Sequence, residues 1–253
     1  MENQIHTSLE VRYHEPERLP ASAGIKWITD AFGIFKLHPW KWMGVLSIYL
    51  IVGLVVSIVD FLEINVLSSL KNIVFGWVGL CLLGGTMYAA KNADNGKAFD
   101  VECFFVVFQD KKISFFILFL VQTLFAIVGD FFIISLYFLG HWAVILSTVL
   151  FTSITLFVFL LTPALIVLDG LNPWEAIKAN VKSTMCNIPS MIVYIGSVAL
   201  FSSMWINLGN MLLSIFKHWI VIIILFLPVV TILLLSPYIA YRSIYPNGRI
   251  VKS

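Results

Sequence analysis

Long apolar runs separated by short polar turns set the rhythm of this chain. They run from Trp42 to about Leu62, Val66 to about Ala90, Ile113 to about Leu139, Trp142 to Leu168, Ile188 to about Phe216, and Trp219 to about Tyr241. Each is long enough to cross a membrane as a helix, which takes about 20 apolar residues for roughly 30 Å of hydrocarbon. The third and fourth exceed a minimal crossing, so they tilt or carry their ends beyond the hydrocarbon. Asp60, Glu63, Asn65 and Lys71 mark one turn, and Gly140-His141 another. The pattern predicts an all-α fold, a polytopic membrane helix bundle of about six spans.

Between these runs lie shorter amphipathic stretches. From Ser22 to Leu37 there is no room to span, yet Ile25, Trp27, Ile28, Ala31, Phe32 and Phe35 recur at helical spacing against Lys26, Asp30, Gly33 and Lys36. That is the pattern of a helix lying in the interface plane. His38-Pro39 ends it, and Trp40-Lys41-Trp42 anchors the next run at headgroup level. Asp94-Asn95-Gly96 is a turn signal, and the short apolar helix predicted from Asp100 to Gln109 takes Asp100 as its N-cap. After Asp169-Gly170, a third such helix has Asn172 as cap, Pro173 at its first position and Glu175 three residues beyond the cap. There Trp174, Ile177, Val181 and Met185 share one face, and Lys178 and Lys182 stand on the other. Trp27, Lys36, Trp40, Trp174, Lys178 and Lys182 are therefore the candidate contacts for membrane lipids or an envelope protein partner.

The ends of the even runs align as LGGTMYAAKNADNG from Leu83, LTPALIVLDGLNP from Leu161 and LSPYIAYRSIYPNG from Leu235. Each has a small residue or Pro at a matched place, an apolar stretch, then a polar Gly or Pro turn. With the amphipathic stretches that precede the odd runs, this predicts a threefold internal repeat of surface helix plus hairpin, beginning near Ser22, Phe99 and Pro173. An even number of spans per copy keeps the copies parallel, about an axis along the membrane normal.

Composition then fixes the class. The 253 residues are 60% hydrophobic and 12% charged, with a mean hydropathy of +0.95. A soluble domain carries about a quarter charged residues, so no water-soluble core accounts for this chain. Of the 16 Lys and Arg, only Lys71 and Lys217 fall on one side of the six-span model. The positive-inside rule puts the other side, with both termini, in the cytoplasm. Residues 1–21 read as a flexible cytoplasmic tail without signal-peptide pattern, 22–245 as a single transmembrane domain, and 246–253 as a cytoplasmic C-terminal tail. Cys81, Cys103 and Cys186 have no metal-ligand spacing and read as packing residues.

Candidate chemistry is sparse. Asp130 lies within the third run, with Gln122 two helical turns away on nearly the same face. Asn207 and Asn210 of the fifth run could complete a polar track, and ionisable groups at membrane depth mark pathways. No HExxH, GxSxG or phosphate-binding loop is present. The five histidines have no carboxylate or Cys at ligand spacing. The expectation is no catalytic site, no cofactor, no metal and no nucleic-acid partner. A non-enzymatic, lipid-interacting or accessory protein fits best, and a small transporter using the track is the alternative.

Trp27-Ile28, Phe32, Phe35 and Pro39, followed by Pro163-Ala164-Leu165, Gly170, Pro173, Ala176 and Ser183, resemble an uncharacterised family of six-span bacterial inner-membrane proteins. The central part is more distantly similar to the membrane domain of some glycerophosphodiester phosphodiesterases and to a small six-span family of unknown function. The likeness covers roughly residues 20 to 245. It implies the six-span fold and a bacterial inner membrane location, and carries no catalytic residues with it.

Overall fold

The computed structural model describes residues 14–60, 65–97, 100–216 and 219–248. Every regular element among them is a helix: α1 (Ala23–Leu37), α2 (Pro39–Asp60), α3 (Asn65–Asp94), a 3₁₀ turn (Val101–Phe105) leading into α4 (Val106–Asp110), and α5 (Lys112–Ser135). A second 3₁₀ turn (Tyr137–Leu139) precedes α6 (His141–Phe159), α7 (Thr162–Leu168), α8 (Pro173–Cys186), α9 (Ile188–Phe216) and α10 (Trp219–Ile244). Among the described residues five stretches are long and apolar enough to cross a membrane: Ile73–Asp94, Lys112–Leu139, His141–Leu168, Ile188–Ile215 and Phe226–Ile244. The first predicted run coincides with the 22-residue α2, and its end at 61–62 lies outside the described residues. The chain is an all-helical, multi-pass membrane bundle.

Local chemistry sets the helix boundaries. Pro39 opens α2, where its fixed φ suits the first turn and its missing N–H costs nothing. Asn172 caps α8 as expected, its Oδ1 accepting from the Glu175 amide at 2.9 Å. Asp100 has the extended backbone of an N-cap, but its side chain makes no cap bond. It accepts from Lys41 Nζ at 3.3 Å instead, because a charged donor competes with the amides. Gly96, Gly170 and Gly248 all take positive φ, between 67° and 73°. Gly96 and Gly170 stand just past α3 and α7, where a left-handed residue closes a helix, and Gly248 ends the turn that follows α10, its N–H donating to the Tyr245 carbonyl at 3.0 Å.

The three amphipathic segments close the bundle in a ring. α1 packs on α9 and α10, the 3₁₀ turn and α4 on α3, and α8 on α6 and α7. Each therefore leans on the hairpin before it in the chain, with the first leaning on the last. At these contacts small residues bring backbones together. A Cβ on Gly24 of α1 would lie 2.3 Å from the Ser190 carbonyl oxygen of α9, and one on Gly85 of α3 would lie 2.1 Å from that of Phe104. Trp27 fills the seam beside the first, edge-on to Tyr194 with ring centroids 5.5 Å apart. Trp42 does the same on Phe104 at 6.1 Å.

The fourth run is not one helix. It breaks at Leu160-Leu161, and α8 repairs the break: buried Asn180 accepts from the Leu161 amide at 2.7 Å and donates to the Phe157 carbonyl at 2.9 Å. Thr184 Oγ1 adds a second donor to that carbonyl at 3.1 Å. In α10, Pro237 cannot donate to the Leu233 carbonyl, and Ser236 Oγ takes that place at 2.8 Å. Such repairs are what membrane depth demands, since no water is there to take a freed carbonyl.

Burial is concentrated in α3 and α10. Within the 18-residue apolar stretch that qualifies each span, half is buried in Ile73–Asp94 and 61% in Phe226–Ile244, against 11 to 17% in the other three. The outer spans turn Phe131, Ile134, Trp142, Leu146, Leu200 and Met204 outward, toward lipid. The expected flexible tail is pinned at its end: Glu17 N donates to the Ile244 carbonyl at 3.0 Å, Leu19 N to Asn187 Oδ1 at 2.7 Å, and Asn187 Nδ2 to the Glu17 carbonyl at 2.9 Å. Residues 1–13 and 249–253 lie outside the described residues.

Candidate functional site

The end of the bundle that carries the short helices holds nearly all of its polar structure. Arg242 of α10 pairs with Asp94 at the end of α3, and Tyr238 Oη donates to the same carboxylate at 2.8 Å. One turn on, Tyr241 Oη donates to Asp169, after α7, at 2.8 Å. Tyr245 Oη meets Ser183 Oγ of α8 at 2.7 Å. The last turns of α10 thus fasten the ends of the even spans to one another and to α8. Sequence reasoning missed this group. Its signal was a carboxylate in two of the three aligned segments, Asp94 and Asp169, and a basic residue in the third, Arg242.

The outward face of α8 is the second feature. Ala176, Asn180, Ser183 and Thr184 are buried against the bundle. Trp174 and Met185 are about 60% exposed, on the same side as exposed Lys178 and Lys182. Positions 174, 178, 182 and 185 form one stripe at helical spacing. The predicted separation of an apolar face from a lysine face is therefore corrected: Trp174 and Met185 stand on the lysine side, and of the apolar four only Ile177 is buried. Small and hydrogen-bonding residues face inward because the break in the fourth span needs donors and close approach. The large apolar side chains then remain beside the lysines. Lys178 Nζ sits 5.4 Å from the Trp174 ring centre. Lys182 pairs with Glu15 across open surface, an arrangement worth little in water.

Other predicted contacts divide. Trp40 is 84% exposed beside the start of α2. Lys36 is exposed and lies 4.2 Å from the centre of the Phe32 ring. Trp27 is a correction: it is fully buried between α1 and α9 and meets neither lipid nor partner. Gly24, one turn earlier, draws α1 so close that the indole faces the bundle.

The structure does not assemble the predicted polar track. Asp130 is exposed. Its neighbour Gly129 takes the inward position, filled by the Phe151 ring of α6. Asn207 and Asn210 are exposed, and Asn207 Nδ2 donates to the Ser203 carbonyl of its own helix at 2.8 Å. α5 packs on α3, α6 and α8, whereas α9 packs on α1, α8 and α10. Only Gln122 reaches an interior space, a cavity of about 340 Å³ among the spans whose walls are otherwise almost wholly apolar. Among the described residues no three His, Cys, Asp or Glu side chains gather as a metal ligand set.

No family model matches this chain, and no curated protein or solved structure does either.

Proposed function

We propose that this is a non-enzymatic, lipid-interacting protein of the bacterial inner membrane, acting as an accessory or scaffold element of the envelope, with both termini and its short helices on the cytoplasmic side. One observation carries the reading: α8 keeps its hydrogen-bonding side for the bundle and turns Trp174, Met185, Lys178 and Lys182 outward together. Indole rings favour the headgroup level and lysines snorkel from an apolar surface toward it. A helix so armed lies along an anionic leaflet. Trp40 and Lys36 extend the same chemistry around the short-helix end. The distribution of Lys and Arg supports the cytoplasmic side for it, where the leaflet is rich in negative headgroups. The transporter alternative loses its support with the dispersal of Asp130, Asn207 and Asn210.

Each lysine near an anionic surface contributes about 1 kcal/mol, so the pair contributes about 2 kcal/mol, roughly a 30-fold preference. Purified protein in a neutral detergent should therefore gain thermal stability from phosphatidylglycerol and much less from phosphatidylcholine. The double variant K178Q/K182Q should lose most of that difference while its unfolding midpoint without lipid stays put. An undiminished preference in the variant would contradict the assignment.

A further inference from the structure

We propose that the cavity inside the bundle is a binding site for a membrane-dissolved amphiphile, a long apolar body bearing one hydroxyl or carbonyl oxygen, which enters sideways from the bilayer between α6 and α9 and is read by Gln122.

The cavity sits where the even spans meet, near the start of the aligned segments. Pro163 of α7 and Pro237 of α10, at matched places, line it together with Leu83 of α3, two residues before the place they match. Its volume, about 340 Å³, falls at the lower end of the roughly 300 to 1,000 Å³ found for small-molecule sites. It lies well within the spans. Gln122 is some ten residues into α5, about 15 Å along the helix from the Lys112 end at 1.5 Å per residue, near mid-depth of a bilayer. The occupant is therefore drawn from the hydrocarbon and not from water.

Access follows from the packing. Around the cavity α3 packs on α5, α5 on α6, α9 on α10 and α10 on α3, but α6 and α9 share no comparable interface among the described residues. Leu156 of α6 and Val198 of α9, which line the cavity from these two walls, are both only half-buried. A slot between two outer spans opens toward lipid.

The chemistry of the occupant follows from the hydrogen bonds of the wall. Thr155 spends its hydroxyl on the Phe151 carbonyl of its own helix, and Tyr194 spends its hydroxyl on Ser236. Gln122 alone among the polar lining residues makes no hydrogen bond with any described residue. An amide facing an apolar cavity costs free energy until something bonds it. A saturated chain cannot do so. An alcohol or carbonyl oxygen on an apolar body can, and one such bond discriminates by up to roughly tenfold.

The test uses the full chain in native lipid discs and two diazirine photoprobes of equal length, one a fatty alcohol and the other its methyl-ended hydrocarbon twin. Peptide mass spectrometry should find the alcohol attached at the cavity walls of α6 and α9 about tenfold more than the hydrocarbon. Gln122→Leu should equalise the two probes, and Val198→Trp should remove both from those positions while leaving labelling at lipid-facing Leu146 and Leu200 unchanged. Gel filtration of each variant establishes that it is folded, and Gln122→Leu, which removes polarity without adding bulk, carries the test if the tryptophan does not fold. Equal labelling by the two probes in the unaltered protein, or wall labelling that Val198→Trp leaves in place, would overturn the proposal.

Discussion

Asn180→Ala is expected to lower the thermal unfolding midpoint in detergent by about 5 to 15 °C. The Asn180 side chain is fully buried and serves both sides of the break in the fourth span, taking the Leu161 amide at 2.7 Å and giving to the Phe157 carbonyl at 2.9 Å. Alanine strands the amide completely. The carbonyl keeps one partner, Thr184 Oγ1 at 3.1 Å. A buried group left unbonded costs about 1 to 3 kcal/mol, so the loss is about 2 to 4 kcal/mol, and each kcal/mol moves the midpoint of a chain this size by about 2 to 4 °C. Asn180→Asp separates the two roles. Ionised, the carboxylate accepts from Leu161 but repels the Phe157 carbonyl, so at alkaline pH this variant should be no better than alanine; as the neutral acid it donates to Phe157 in the amide's place, so its midpoint should recover as pH falls. A midpoint within a degree of the parent in both variants would mean that the break is not held by α8.

The second large effect falls on Gly85. Its Cβ would stand 2.1 Å from the carbonyl oxygen of Phe104 and 2.6 Å from the Phe104 Cα. These are backbone atoms, so no rotamer change makes room. Gly85→Ala must push the 3₁₀ turn off α3 and, with it, the edge of Phe104 off Trp42. Overpacking of this kind costs about 3 kcal/mol, about 6 to 12 °C at this chain length. Gly79, on the same helix, has nothing within 4 Å of its would-be Cβ. Gly79→Ala should therefore be neutral or raise the midpoint slightly, since alanine favours the helix by up to about 1 kcal/mol. The fraction of monodisperse protein recovered in detergent, with its midpoint, reads both. Equal behaviour of the two alanine variants would remove the close approach from the account.

What could be read from the sequence is what depends on local pattern. Hydropathy located the spans, the Asn172-Pro173-Glu175 trio located the start of α8, and the turn residues around Gly96, Gly170 and Gly248 located three turns that all hold left-handed glycines. The order of short helix and hairpin was legible, and each short helix packs on the hairpin that precedes it in the chain, the first on the last. Rotation about helix axes was not legible. Trp27 and Trp174 look alike in sequence, yet one is buried and the other faces outward. The difference lies in Gly24 beside the first and in Asn180, Ser183 and Thr184 opposite the second. Those polar residues were the missed signal: amide and hydroxyl groups at i, i+3 and i+4 between two membrane runs imply a backbone that needs them. Asp130 failed for the same reason, since its facing depends on Gly129 and Phe151 meeting. The pairing of Asp94 with Arg242 joins residues 148 positions apart, beyond the reach of any periodicity.

The most direct test of the lipid-binding role is to extract the protein gently into native lipid discs through a tag after Ser253 and to weigh, by mass spectrometry, the lipids and proteins that come with it. Anionic lipid enriched over the surrounding membrane, falling toward the bulk composition in K178Q/K182Q, is the expected result. Lipid of bulk composition around both proteins would contradict the account.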